Sequence, residues 1–294
     1  PLTDVDTGAL EGIAITALTN AAGGTWEFST NGGASYLAIG AVSATSALLL
    51  RSTDFVRYVP NTQNGETATF SYKGWDQTTG PFGTKVNPGA GGGATAFSTA
   101  TGSASITVTS VNDAPTTNAQ MTQTQAYTEG AASVALNDIV VSDVDTGDTI
   151  TATLQLSDPL AGSLTTAGGG VYTAGTGEWT VTGTVAAVNA ALASVAFVPA
   201  TNQDVDVTVT THVEDAAAAG PADGVITLDV TAVNDAPVLD NGVVLALTGV
   251  TEDDTSLVAN PGESVATLLA TGAGGNPLTD VDTGALEGIA ITAL

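Results

Sequence analysis

The stretch PLTDVDTGALEGIAITAL occurs twice in this chain, at Pro1–Leu18 and again at Pro277–Leu294. Eighteen consecutive identities do not arise by chance, and a single globular domain has no use for the same segment at both ends. The spacing from Pro1 to Pro277 defines a period of 276 residues, so the chain spans slightly more than one period of a tandem array. It is expected to be a piece of a longer polypeptide.

A second repeat lies inside the first. VNDAP occurs at Val111–Pro115 and Val233–Pro237, and DVDTG at Asp4–Gly8, Asp143–Gly147 and Asp280–Gly284. These mark two domain types. A short domain is complete over residues 116–237. A long domain is read in two parts, its C-terminal part at residues 1–115 and the N-terminal part of the next copy at 238–294. The two types are distant copies of each other. Asp4 precedes Pro60, and Asp143 precedes Pro199, by the same 56 positions. Asp4 precedes Asp76, and Asp143 precedes Asp215, by the same 72. GTWEF and GEWTV equate Trp26 with Trp179 as matching core positions. The extra length of the long domain falls in ATGAGGNP and NPGAGGGATAFSTATG, both expected to be flexible loops.

Alternation of apolar and polar residues marks the strands: SITVTSV at 105–111, DVTVTTHV at 206–213, VITLDVTAV at 225–233, and also ATFSYKGW and GIAITAL. Asn31-Gly32, Asn64-Gly65 and Asp223-Gly224 supply turns. Only VAAVNAALASV at 185–195 reads as a short helix. About seven short strands per domain predict an all-β fold of tandem Greek-key β-sandwiches, cadherin- or immunoglobulin-like, arranged as a rod.

Thirty Asp and Glu stand against four Lys and Arg, for a net charge of −26. Such a surface repels nucleic acid and anionic membranes and attracts cations. A hydrophobic content of 43% excludes disorder by composition. The absence of cysteine removes disulfides from the account. No run of about 18 apolar residues occurs, so no membrane span is expected.

Two motifs carry chemistry. VNDAP follows an alternating strand that its proline stops, so Asn112 and Asp113, and likewise Asn234 and Asp235, fall at a domain exit. Both residue types offer hard oxygen ligands, and both are also ordinary turn formers before proline. In DVDTG, residues two apart in an extended segment point the same way, so Asp143 converges with Asp145, Asp4 with Asp6 and Asp280 with Asp282. Like charges that close are unfavourable without a cation between them; the bland reading is a solvated acidic turn. Each DxD keeps register with a later Asp, Asp76 or Asp215, and a Glu precedes it, Glu129 or Glu252.

This pattern resembles the cadherin repeat, in the bacterial cadherin-like form of giant surface adhesins, over nearly the whole chain. The resemblance implies Ca²⁺ at each junction. One junction would use Asn112, Asp113, Asp143, Asp145 and Asp215. The next would use Asn234, Asp235, Asp280 and Asp282 with Glu129, while Glu252 would serve the one after. Asp4, Asp6 and Asp76 hold the same places in the first copy, with Glu214 and Asp253 as extra candidates. The longer linker motif and the Asp-Arg-Glu motif of the animal family are absent. The implied role is a calcium-stiffened extender on the bacterial cell surface or outside the cell, whose partners are neighbouring copies of the repeat.

An enzyme is not expected, since the lone His212 sits in an alternating strand without a pocket-forming set of bases. A carbohydrate-binding module would need Trp26, Trp75 and Trp179 exposed to surface glycans, where core packing is the simpler reading. A self-assembling filament or surface layer would arise if the start of a long domain on one chain completed the end of one on another, giving an open head-to-tail assembly.

Overall fold

The computed structural model describes residues 3, 6, 8–258, 260–272 and 275–292. Two compact units divide the chain. One takes the chain up to Asp113 together with Asp143–Gly147; the other takes Ala114–Ser142 and the chain from Asp148 onward. Both are all-β sandwiches.

In the first unit the strands are β1 (Gly12–Thr19), β2 (Thr25–Ser29), β3 (Leu37–Ala38), β4 (Ala47–Arg51), β5 (Phe55–Val59), β6 (Glu66–Trp75), β7 (Lys85–Val86) and β8 (Phe97–Val108). They form a sheet of order β7-β4-β1-β6-β8 and a smaller one of order β3-β2-β5. Ile15, Leu48, Leu50 and Ala68 of the large sheet pack against Trp26, Phe28 and Tyr58 of the small one. The run ALLLR does not alternate, because β4 is buried on both faces. Ala14, Ala47 and Leu49 point away from the small sheet and are covered by Trp75, Ala96 and Phe97. The stretch after Asp76, expected to be a flexible loop, therefore supplies a second small core. Gly91, at φ +81°, lets its backbone approach so closely that a Cβ would meet the Ser98 carbonyl. The Gly92 amide donates to the Phe97 carbonyl at 2.7 Å.

In the second unit the order is β9 (Thr116–Thr117), β10 (Gln123–Thr128), β11 (Val134–Ala135), β12 (Val141–Ser142), β13 (Ile150–Leu156), β14 (Gly162–Leu164), β15 (Val171–Thr173), β16 (Glu178–Gly183), α1 (Val185–Leu192), β17 (Ala196–Pro199), β18 (Val207–Glu214) and β19 (Gly224–Thr231). Beyond these lie β20 (Val238–Leu239), α2 (Val265–Ala270) and β21 (Leu278–Thr279). The large sheet runs β10-β19-β18-β13-β16-β15, and β11-β17-β14 faces it across one core that includes Phe197, Trp179, Ile226 and Leu228. The expected short helix forms as α1, capped by the Thr184 hydroxyl accepting from the Ala187 amide.

The registers show that the two sandwiches are copies. Thr208 pairs with Thr227 and Thr69 with Ser105; Thr151 pairs with Glu214 and Gly12 with Trp75. The same comparison corrects one expected match. Trp179 lies in β16 opposite Leu154 in the large sheet, whereas Trp26 lies in β2 opposite Tyr58 in the small one. GTWEF and GEWTV are similar words on different strands. All three tryptophans are buried: Trp26 at 6% exposure, Trp75 at 2% and Trp179 at 0%.

Candidate metal centre

Both described DVDTG loops after a domain exit share one geometry. The Asp143 Oδ1 accepts the Asp145 amide at 2.7 Å, and the Asp280 Oδ1 accepts the Asp282 amide at 2.9 Å. These are Asx turns, so each pair sits on a bend rather than on the extended segment expected, and in the first of them the Asp143 and Asp145 carboxylates converge. The second Asp of each pair then holds the exit motif. The Asp113 amide donates to Asp145 Oδ2 at 2.7 Å, and the Asp235 amide donates to Asp282 Oδ2 at 2.9 Å. The strands before the exits end at Val108 and Thr231, ahead of Pro115 and Pro237 rather than at the proline as expected, so these amides lie outside any ladder.

Glu129 grips the same exit segment two residues earlier, its Oε2 accepting the Val233 amide at 2.9 Å. The remaining oxygens of these groups are informative. Asp143 Oδ2, Asp145 Oδ1, Asp282 Oδ1 and Glu129 Oε1 are buried without a hydrogen-bond partner. A buried carboxylate oxygen without a partner is costly, and a cation is the usual remedy. Lys and Arg are engaged elsewhere: Arg51 pairs with Asp54 and Arg57 with Glu27, Lys73 donates to the Gly89 and Ala90 carbonyls, and Lys85 donates to the Ala41 carbonyl.

Asp148 completes a group that sequence reasoning missed. One oxygen each from Asp143, Asp145 and Asp148 lies within 4.8 Å of the others, and Asp148 Oδ2 is also buried without a partner. The signal was the sixth letter of DVDTGD; the other two copies carry Ala9 and Ala285 there. Three oxygens at this spacing fit a hard divalent cation such as Ca²⁺, which takes six to eight oxygen ligands at about 2.3–2.6 Å.

Other expected ligands are engaged locally. The Asp215 Oδ1 accepts the Ala217 and Ala219 amides at 2.8 and 2.9 Å, and the Asp76 Oδ1 accepts the amide and hydroxyl of Thr78. Each closes the turn that follows its strand. Asn112 and Asp6 are exposed, Asn234 donates to the Asp235 carbonyl at 2.7 Å, and Glu252 is exposed. Asp4 lies outside the described residues.

A further pair of residues grips the DVDTG loops. In the first unit Asn64 Oδ1 accepts the Thr146 amide at 2.7 Å, and its Nδ2 donates to the Val144 carbonyl at 2.9 Å. In the second unit the Asp204 carboxylate accepts the Thr283 amide and, at 2.9 Å, its hydroxyl. The Thr283 amide holds the Asp204 carboxyl below its ordinary value. Both grips follow a turn with a left-handed residue two positions earlier, Thr62 at φ 65° and Asn202 at φ 57°.

Comparison with models of known families gives no match, and comparison with curated proteins gives none. Among solved structures, the human desmocollin-1 ectodomain is similar over 60% of this chain and 29% of its own, at 13% identity and a TM-score of 0.29. Protocadherin gamma B2 extracellular cadherin domains 3–6 are similar over 79% and 46%, at 12% identity and 0.32. The CupB6 tip adhesin from Pseudomonas aeruginosa is similar over 77% and 86%, at 8% identity and 0.26.

Proposed function

We propose that this chain is a calcium-stiffened, non-enzymatic extender repeat of a large bacterial surface adhesin or secreted fibrous protein. The observation that carries the reading is the set of buried, unpartnered carboxylate oxygens on Asp143, Asp145 and Asp148, with the same feature on Asp282 and Glu129. Asp143, Asp145 and Asp282 lie in DVDTG loops, and Glu129 directly follows β10. Bound there, Ca²⁺ would neutralise the converging charges and tie each exit segment to the loop it touches. Asp145 and Asp282 already hold the exit amides, and Asn64 and Asp204 hold the following threonine, so the chain's own residues set the loop before any ion binds. Without the ion, carboxylates repel and the hinge loosens. A cell-surface or secreted setting suits this chemistry, because millimolar calcium is available there to fill weak sites.

Small-angle scattering with calcium and with chelator tests the reading. It predicts a longer, stiffer particle in calcium and a broader distribution of sizes in chelator. Identical profiles would contradict it. A sugar-binding role is disfavoured by the burial of all three indoles, which leaves no tryptophan face for a glycan to stack on.

A further inference from the structure

Two tyrosines are buried, one in each unit, and their hydroxyls are treated differently. In the first unit Tyr58, at 8% exposure, donates to Glu66 Oε1, and Glu66 Oε2 accepts the Ala22 amide at 2.9 Å. The carboxylate thus joins a buried phenol to a loop amide. In the second unit Tyr127, also at 8%, lies in β10 with its ring edge-on to Phe197, the centroids 6.0 Å apart. Its hydroxyl is buried and has no direct partner. A phenol in an apolar core usually finds one, because leaving it unbonded is costly.

The matching acceptor stands nearby. Glu129 Oε2 accepts the Val233 amide at 2.9 Å, while Glu129 Oε1 is buried without a partner. The Glu129 amide donates to the Thr231 carbonyl at 3.0 Å, so the parallel pairing of β10 with β19 continues through it. Tyr127 and Glu129 are therefore two apart on one extended run and point to the same side. Residues so placed are about 6.6 Å apart. Two hydrogen bonds through one water span about 5.5 Å. Burial first, then the charges of Asp206 and Glu129, raise the Tyr127 hydroxyl above its ordinary value, so both carboxylates act on it. Asp206 is itself fixed by accepting the amide of Val230, the residue opposite Tyr127, at 2.9 Å. Glu129 also borders a cleft with Pro199, Asn202 and Val233, which gives water a way in.

We propose that one enclosed water joins the Tyr127 hydroxyl to Glu129 Oε1, so that Tyr127 positions the carboxylate that holds the Val233 amide. The hydroxyl donates to the water, and the water donates to Oε1. The arrangement repeats the Tyr58–Glu66–Ala22 chain, one water longer. It belongs to the short sandwich: the residue two before Glu252 is Val250, which has no hydroxyl. It does not depend on the calcium reading, because an ionised oxygen has lone pairs for a water and an ion together.

Amide exchange of the intact chain tests this with Tyr127→Phe, which keeps the ring, in calcium and separately in chelator. The Val233 amide should exchange at least about fivefold faster in both buffers, as the loss of one hydrogen bond allows. Amides of the central strand β13, such as Leu154, should keep their rates. Tyr58→Phe, read at the Ala22 amide, is the positive control. An unchanged Val233 amide with a raised melting temperature, the mark of an unbonded hydroxyl relieved, would overturn the proposal. So would equal acceleration in β13, which signals lost packing alone. An effect confined to calcium would overturn it too, while leaving the calcium reading intact. A crystal structure should show a water within about 3.2 Å of both oxygens; a direct Tyr127–Glu129 contact, or no water between them, would contradict it.

Discussion

Ile15 and Ile291 hold the same position in the same eighteen-residue sequence, yet Ile15 is fully buried and Ile291 is 74% exposed. Ile15 lies in β1, hydrogen-bonded between β4 and β6, with Leu48 and Tyr72 as its cross-strand partners. Among the described residues, 288–292 pair with no strand. Identical local propensity thus gives a central strand in one place and none in the other. The difference lies in the neighbours, as expected where cross-strand packing dominates β preference. Extending the chain after Leu294 with a copy of residues 19–115 should turn this segment into a strand. Amide exchange at Ile291 should slow by orders of magnitude, as at Ile15.

The metal reading makes a prediction whose sign changes with calcium. Asp145→Asn removes one ligand charge while keeping the side chain's size. In calcium it should lower affinity on the order of tenfold or more and lower the melting temperature. In chelator it should leave the melting temperature unchanged or raise it, because a like-charge contact is relieved. Calorimetric melts in both buffers decide this.

The Asn64 grip makes two hydrogen bonds to the loop at 144–146. Asn64→Ala should cost about 0.5–1.5 kcal/mol for each and speed exchange of the Thr146 amide. Asp204→Ala should likewise speed exchange of the Thr283 amide. The Asp204 carboxyl is held below its ordinary value of 3.8, so its contribution is present above pH 3.8 and is lost as pH falls through the lower folded value. Upstream, Thr62 is a β-branched residue in the left-handed region. Thr62→Asn, the residue found at the matching turn, should stabilise the first unit by about 1 kcal/mol in chemical denaturation.

Two titrations report on the sandwiches separately. In the first unit, burial raises the Tyr58 hydroxyl to about 12, and its hydrogen bond to Glu66 adds to the effect. Its contribution is complete below pH 10 and fades as pH rises toward 12. Burial also raises the Tyr127 and Tyr172 hydroxyls, so absorbance titration should show late-ionising tyrosines, and Tyr58→Phe should remove the step near pH 12. In the second unit, His212 is raised above 6.5, first by its hydrogen bond to Asp223, with burial opposing and Glu214 helping. That contribution is present below pH 6.5 and is lost as pH rises through the higher folded value. His212→Gln should flatten the loss of stability across neutral pH.

Much of this was legible from spacing alone. The 72-residue interval from DVDTG to Asp76 and Asp215 is the separation of two points on paired strands, and the structure keeps it because β1–β6 and β13–β18 share a register. The tryptophan match failed because it crossed loops of unequal length, where interval counting carries no register. Asp215 and Asp76 were legible as acidic landmarks, but not that Oδ1 of each accepts amides of the turn that follows its strand. Asp148, Asn64 and Asp204 escaped notice because a single polar residue in a turn has no periodicity to mark it. The outer core around Leu49 and Trp75 was hidden behind glycines that read as flexibility, although Gly91 is there because a backbone passes close by.

Calcium titration of the intact chain by calorimetry, paired with thermal unfolding with and without chelator, tests the central claim most directly. The account predicts saturable calcium binding and a melting temperature that rises by many degrees on its addition, since a ligand held only by the folded state stabilises by about 2.7 kcal/mol at a hundredfold excess over its Kd. Unchanged melting and no binding heat at millimolar calcium would contradict it. The carboxylates of Asp143, Asp145 and Asp148 would then be a solvated acidic turn.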